Sequence, residues 1–224
     1  MHAITTTQDG VRIYGPWLLP LYDFLIMRVL APYVWQCPAH NFTGLYRDCM
    51  SRNHADVGVG TGYALDKCAY APGEVRIGLF DLQSNCLEYT ARRLARFAPE
   101  AYQCDAMKPI AVGADRFDSV ALGGILHCIP GDMAEKGAVF DAIEPLMHSG
   151  AKVFGYTILN REIEKTWLSK VAYVVFENLK VINGPDDSAS QLHRELANRF
   201  KFVEVKVIGC VALFVAHTPV ETGQ

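Results

Sequence analysis

The chain has no C-x-x-C pair, no run of lysines and arginines, no internal repeat, no low-complexity tract and no uninterrupted apolar stretch of membrane-spanning length. Each absence removes a class of function. Seven cysteines, Cys37, Cys49, Cys68, Cys86, Cys104, Cys128 and Cys210, stand singly along 224 residues, so they form neither a zinc nor a disulfide framework and read as reduced thiols of a cytoplasmic protein. The formal net charge is −3 and the basic residues are scattered, which leaves no electrostatic footprint for a phosphate backbone and disfavours a nucleic-acid partner. No His, Asp and Glu cluster at ligand spacing points to a metal. The most apolar stretch, WLLPLYDFLIMRVLAPYVW at 17–35, is broken by Pro20, Asp23, Arg28 and Pro32. A spanning helix needs roughly 20 mostly uncharged residues. The stretch also lacks the basic flank and cleavage site of a signal peptide, so it reads as a buried or lid-forming helix with no membrane partner.

What is present suits one sizeable core. Hydrophobic residues make up 50% of the chain, and a single domain over 1–224 is the expectation. Short Val-, Ile- and Phe-rich runs alternate with longer segments of helical period, the pattern of strands joined by crossover helices. Strands are predicted at 54–59, 75–81, 100–105, 117–122 and 151–158. Helical faces are predicted over 84–98 (Leu87, Thr90, Ala91, Leu94, Ala98) and 133–147 (Val139, Phe140, Ile143, Leu146, Met147). Ser84 is a candidate N-cap and Ser149-Gly150 a candidate exit turn. Helices follow at about 162–180 and 191–200, and then two strands, FVEVKVI and CVALFVAH, separated only by Gly209. So short a link implies a hairpin, with the last strand antiparallel in an otherwise parallel sheet.

The stretch HADVGVGTGY, 54–63, carries the strongest functional signal. Gly58, Gly60 and Gly62 follow an apolar run, as at a strand end turning into a helix. A G-x-G-x-x-G fingerprint from Gly58 would need glycine where the chain has Tyr63, and no Lys-Ser or Lys-Thr follows for a phosphate-binding P-loop. Asp81, 19 residues after Gly62, ends the second predicted strand, where doubly wound folds place an acid on ribose hydroxyls. Asp105 ends the next.

DVGVGTG, Asp81, CDAM, LGGILHCIPG and the terminal hairpin together resemble the class I S-adenosylmethionine (SAM) dependent methyltransferases over roughly 50–217. The resemblance implies a Rossmann-like α/β fold, a mostly parallel seven-stranded sheet with an antiparallel last strand. Residues 1–50 would be an N-terminal helical cap and 51–224 the SAM-binding core. It implies that Gly58, Gly60 and Gly62 approach the methionine portion, with Thr61 and Tyr63 beside them. Asp56 would orient the loop through backbone hydrogen bonds, Asp81 would hold the ribose, Leu82 beside it would also bind the cofactor, and Asp105 with Ala106 would read the adenine. Gly123 to His127 would border the sulfonium.

Binding SAM does not by itself decide which bond breaks. One outcome is methyl transfer to a second small molecule. The other is intramolecular attack of the α-amine on the γ-carbon, releasing methylthioadenosine and azetidine-2-carboxylic acid. The aromatic-rich cap, the absence of an inserted substrate domain and similarity from LYDFLIMRVLAPYVWQCP through HCIPG to FGYTIL resemble the azetidine-forming SAM cyclases, and the second outcome is the expectation on that ground. Tyr22 and Tyr156 are then candidates to hold the sulfonium by cation–π attraction. His127 is a candidate proton acceptor, and Tyr173 or Asn178 would orient the amine or carboxylate. Each aromatic has a packing role as its alternative, and His127 a structural one. Cys128 has no activating neighbour in the pattern.

Overall fold

The computed structural model describes residues 23–217 except 111, 112 and 114, and Tyr22 therefore lies outside the described residues. Seven strands form one sheet in the order β3-β2-β1-β4-β5-β7-β6. They are β1 (Asn53–Val57), β2 (Arg76–Asp81), β3 (Glu100–Gln103), β4 (Phe117–Gly123), β5 (Met147–Ile158), β6 (Phe202–Ile208) and β7 (Val211–His217). β1 to β5 pair in parallel, and β7 runs antiparallel to both β5 and β6, as the two-residue link at Gly209-Cys210 requires. The inner strands are buried on both faces and read as continuous apolar runs: Ile77, Leu79 and Phe80 in β2, and Val120, Ala121 and Leu122 in β4, are all at most 1% exposed.

The helices are α1 (Leu25–Val34), α2 (Ala39–Cys49), α3 (Tyr63–Asp66), α4 (Ser84–Arg93), α5 (Met133–Lys136), α6 (Ala138–Ile143), α7 (Trp167–Asn178) and α8 (Ala189–Ala197). The first is a π-helix containing Pro32, and it ends with the Trp35 amide donating to Leu30 O at 2.8 Å. It buries Met27, Ala31 and Val34 in a cluster with Trp35, Phe42, Tyr173 and Leu213.

Several expected boundaries move. Ser84 is the first residue of α4 rather than its cap; Gln83 occupies the cap position without a side-chain bond. The face of α4 ends at Leu94, since a 3-10 turn at Ala95–Phe97 intervenes and Ala98 is exposed with φ 48°. The 133–147 segment is three pieces, broken at Gly137 and at the Pro145 turn, although Val139, Phe140, Ile143, Leu146 and Met147 are buried as expected. Ser149-Gly150 is not an exit turn. It lies inside β5 as a bulge, where two steps along β4 from Phe117 to Ser119 face five along β5 from Met147 to Lys152. α7 starts only at Trp167, because Glu162 is left-handed (φ 60°) and the Thr166 hydroxyl caps the helix by accepting from the Ser169 amide at 3.2 Å.

Candidate active site

The strand order reverses between β1 and β4, and in open α/β sheets the crevice beyond the carboxyl ends at that point is the ligand site. A cavity of about 240 Å³ opens there. It brings together Asp56, Gly58, Gly60, Thr61, Gly62, Tyr63, Asp81, Leu82, Asp105, Ala106, Gly123, His127 and Tyr156 from the residues expected by sequence. Tyr173 and Asn178 do not line it. The Tyr173 hydroxyl donates to Leu159 O in the core, and exposed Asn178 bonds its own helix at Val174 O, 2.8 Å. Their candidate roles on the substrate amine or carboxylate are therefore withdrawn; Phe176, between them on α7, is the side chain that reaches the cavity.

The glycine loop is dictated by space. Gly58, Gly60 and Gly62 all have positive φ (76°, 52°, 65°). A Cβ on Gly58 would sit 2.8 Å from Ile125 Cβ and one on Gly62 2.6 Å from Thr90 Cγ2, so these two lock loop to neighbours. A Cβ on Gly60 would meet nothing within 4 Å. The loop's ends are tied: the Gly58 amide donates to Phe80 O at 2.7 Å and the Gly62 amide to Val59 O at 2.8 Å.

Asp81 accepts from the Gly60 amide at 3.3 Å and the Gln83 amide at 2.9 Å, so one carboxylate braces the glycine loop and the start of α4. Burial pushes its pKa up against those two bonds. Asp56 departs from expectation. Its carboxylate, 2% exposed, accepts from Tyr46 Oη at 3.0 Å rather than from the loop backbone, and burial pushes its pKa up to about 7. Asp105 accepts from the Met107 amide at 3.0 Å in its own turn.

The sequence reading missed α2. Phe42 and Tyr46, four residues apart on its buried face, both line the cavity. Phe42 stacks on Tyr156 (4.3 Å, 27°), so one face of the ring proposed for the sulfonium is taken by an aromatic neighbour. Tyr46 Oη would lie 2.4 Å from a Cβ at position 123, which makes glycine the residue that fits at the end of β4. The i, i+4 spacing of two aromatics was the available signal.

The residues leading into α1 are pinned to the loop by charge. Thr61 Oγ1 donates to Asp23 Oδ1 at 2.5 Å, Arg93 Nη1 contacts Asp23 Oδ2 at 2.5 Å, and the same guanidinium reaches Thr61 O at 2.9 Å. α1 then contributes Ile26, Met27, Leu30 and Ala31 to the cavity wall.

His127 sits in the turn after β4, half-buried, its pKa pushed down to about 3 by desolvation and by the Lys136 charge. That turn is held from below: Asn183 donates from its backbone amide to His127 O at 2.7 Å and from its side chain to Cys128 O at 2.9 Å. Lys136, fully buried, pairs with Asp187 at 2.5 Å and donates to Asn183 O. Burial pushes the Cys128 thiol up to about 12, so it is no nucleophile at neutral pH. Among the described residues no group of three or more His, Cys, Asp or Glu is placed to hold a metal, and no helix is long and apolar enough to cross a membrane.

The residues present fit SAM. Carboxylates at the ends of β1 and β2 and just beyond β3, with a glycine loop whose middle Cα faces open space, suit a cationic ligand with a ribose. The chain is similar along almost its whole length to a set of named methyltransferases, among them the following two. A physcion biosynthesis cluster O-methyltransferase from Aspergillus chevalieri is 32% identical over 223 residues, covering 98% of this chain and 99% of that protein. Demethylluteothin O-methyltransferase from Streptomyces thioluteus is 29% identical, covering 94% and 91%. Among solved structures, PigF with S-adenosylhomocysteine superposes at a TM-score of 0.68 and 15% identity, covering 96% of this chain and 63% of that one, which supports the fold. No protein-family model matches the chain.

Proposed function

This chain belongs to the SAM-dependent methyltransferase family, and on that premise we propose that it methylates a hydroxyl group of an apolar small molecule of specialised metabolism. SAM is its methyl donor. The carrying observation is that the cavity has two chemically different ends. Under β1, β2 and β3 it is lined by the glycine loop and three carboxylates. Toward β5 and β7 it is lined by Met27, Leu30, Trp35, Phe176, Ile182 and Val211. The first end suits SAM; the second is apolar room for another molecule.

When bound, SAM would supply an electrophilic methyl carbon: the acceptor oxygen, its proton released to solvent, would form the new O–C bond, the C–S pair would return to sulfur, and S-adenosylhomocysteine would remain. The protein's part is alignment and water exclusion. Asp81 and the loop fix one reactant, and α1, Trp35 and Phe176 enclose the other. The seven cysteines, all free thiols, suit a reducing compartment such as the cytoplasm.

The named relatives support transfer rather than the cyclisation expected from sequence, and so does the apolar end, which SAM cyclising on itself would not need. Mass spectrometry decides. Protein incubated with SAM and a panel of hydroxylated aromatics should yield S-adenosylhomocysteine and a singly methylated product. Methylthioadenosine with azetidine-2-carboxylic acid from SAM alone, above a boiled control, would overturn the proposal.

A further inference from the structure

We infer that His127 acts on the acceptor as a hydrogen-bond donor through Nε2–H, holding an acceptor oxygen that is already ionised, and not as the base that removes its proton. The inference rests on the methyl-transfer reading and deepens it, because it specifies the acceptor as an acidic enol or phenol.

β5 runs two residues beyond the last pair it makes with β4, Gly123 with Tyr156. The Leu159 amide points toward β7, donating to Cys210 O at 2.8 Å, so the Ile158 amide before it points to the β4 side, where no strand remains. An unpaired amide there would be costly. His127 Nδ1 fills the gap, accepting from Ile158 N at 3.4 Å. A backbone N–H can only donate, so Nδ1 must present its lone pair, and in a neutral imidazole the proton then resides on Nε2.

The imidazole is kept neutral by its surroundings. Lys136 on α5 lies close enough to oppose a second positive charge, and its partner Asp187 is spent on that lysine. The neighbouring Cys128 thiol is un-ionised and occupied with Gly124 O at 3.5 Å, and Tyr156 on β5, which shares the surroundings of Gly124 with His127, is a phenol. Nε2 has no protein partner among the described residues and is not sealed in the core, and the ring lines the cavity. The side chain therefore offers the cavity one N–H and no lone pair.

Such a group cannot accept the hydroxyl proton at Nε2, and accepting it at Nδ1 would break the bond to Ile158. It can stabilise an oxyanion, lowering the pKa of a bound acceptor whose proton has left to solvent. Negative charge on the oxygen disappears during transfer, so the donor's benefit lies in populating the anion. Acceptors that are already acidic need it least.

The test has two arms. In full-length protein bound to S-adenosylhomocysteine, with histidines 15N-labelled and His127 assigned by comparison with His127→Gln, the imidazole should show a bare Nδ1 and a protonated Nε2, unchanged from pH 5 to 8. A protonated Nδ1, or titration near the ordinary histidine pKa of about 6.5, would overturn the inference whatever the acceptor. In the second arm, substituted naphthols ordered by acidity are the probe. His127→Ala should lower kcat/KM about 10- to 100-fold for the least acidic and progressively less for the more acidic. His127→Gln, which keeps an N–H but cannot be a base, should recover most of the loss. A uniform loss across the series with no recovery in Gln would argue for a base and against the donor. Failure of every naphthol to be methylated would count against the proposed acceptor class, while the tautomer result would stand by itself.

Discussion

Tyr46 Oη donates to Asp56 Oδ2 at 3.0 Å, and the two side chains are 3% and 2% exposed. Helix α2 thereby reaches a carboxylate at the end of the central strand. The carboxyl group is poised near neutrality because burial raises its pKa to about 7, with Asp81 adding to the rise and the Tyr46 bond opposing it.

The unbound protein should be limited by this group. A carboxyl whose folded pKa is raised binds its proton more tightly in the folded state, so its stabilising effect is complete below the unfolded value of 3.8 and is lost as pH rises through about 7. Asp56→Asn should therefore raise the melting temperature of unliganded protein at pH 8 relative to wild type, and the gain should vanish by pH 4. The same substitution should weaken SAM binding at pH 8, measured by titration calorimetry. Tyr46→Phe should move the other way, pushing the Asp56 pKa further up and costing on the order of 1–3 kcal/mol for the stranded acceptor.

The three loop glycines separate folding from binding. Gly62→Ala places a methyl group 2.6 Å from Thr90 at φ 65° and should destabilise the fold by a few kcal/mol. Gly60→Ala meets open space, so its folding cost should stay near the roughly 1–2 kcal/mol of left-handed strain. Its loss of SAM affinity should be the larger effect, since its Cβ projects where the ligand is expected. Equal thermal shifts for the two variants would contradict this division.

How much of this could be read from sequence differs element by element. The sheet, its reversed last strand and the loop at Gly58, Gly60 and Gly62 were legible because buried parallel strands and glycine turns are local signals. Phe42 and Tyr46 were not, because an aromatic i, i+4 pair describes any helix with a buried face. Tyr173 and Asn178 were misplaced for a related reason. On α7 several apolar side chains face outward, Trp167, Val171 and Val174 being 72%, 55% and 60% exposed, so hydrophobic periodicity does not reveal that Phe176 is the residue turned to the cavity. The Asp23–Thr61–Arg93 contact joins positions 38 and 70 residues apart, which no local pattern encodes.

That contact makes Asp23 a latch for α1. Asp23 and Arg93 side chains are 12% and 19% exposed, so their interaction is only weakly screened, and Arg93 retains Asp66 at 3.3 Å when Asp23 is removed. Asp23→Ala should accordingly cost about 1–2 kcal/mol rather than the larger penalty of an orphaned buried charge. Hydrogen exchange over 25–34 should accelerate, and SAM dissociation with it, while association changes little. Unchanged exchange in α1 would mean that the helix is held by Met27, Ala31 and Val34 alone.

The remaining prediction concerns acid. His54 is fully buried on β1, stacked on Phe154 (5.7 Å, 22°), with Nδ1 at 2.8 Å from Ser119 Oγ and Nε2 without a partner among the described residues. Desolvation lowers its pKa from 6.5 to about 3. The unfolded chain binds a proton below pH 6.5 that the folded chain refuses until about pH 3, so stability falls with falling pH across that window. The loss is at most on the order of 5 kcal/mol by the time both forms are protonated. His127 adds a second proton over the same range, its pKa also being about 3. His54→Phe keeps the ring stack, and Ser119 keeps its bonds to the Ser51 amide and hydroxyl, both at 2.9 Å. In urea titrations between pH 4 and 6, the slope of unfolding free energy against pH should therefore drop by about one proton in this variant. A slope identical to wild type would mean that His54 is already protonated in the folded protein, paired through the Nε2 that the structure leaves unpartnered.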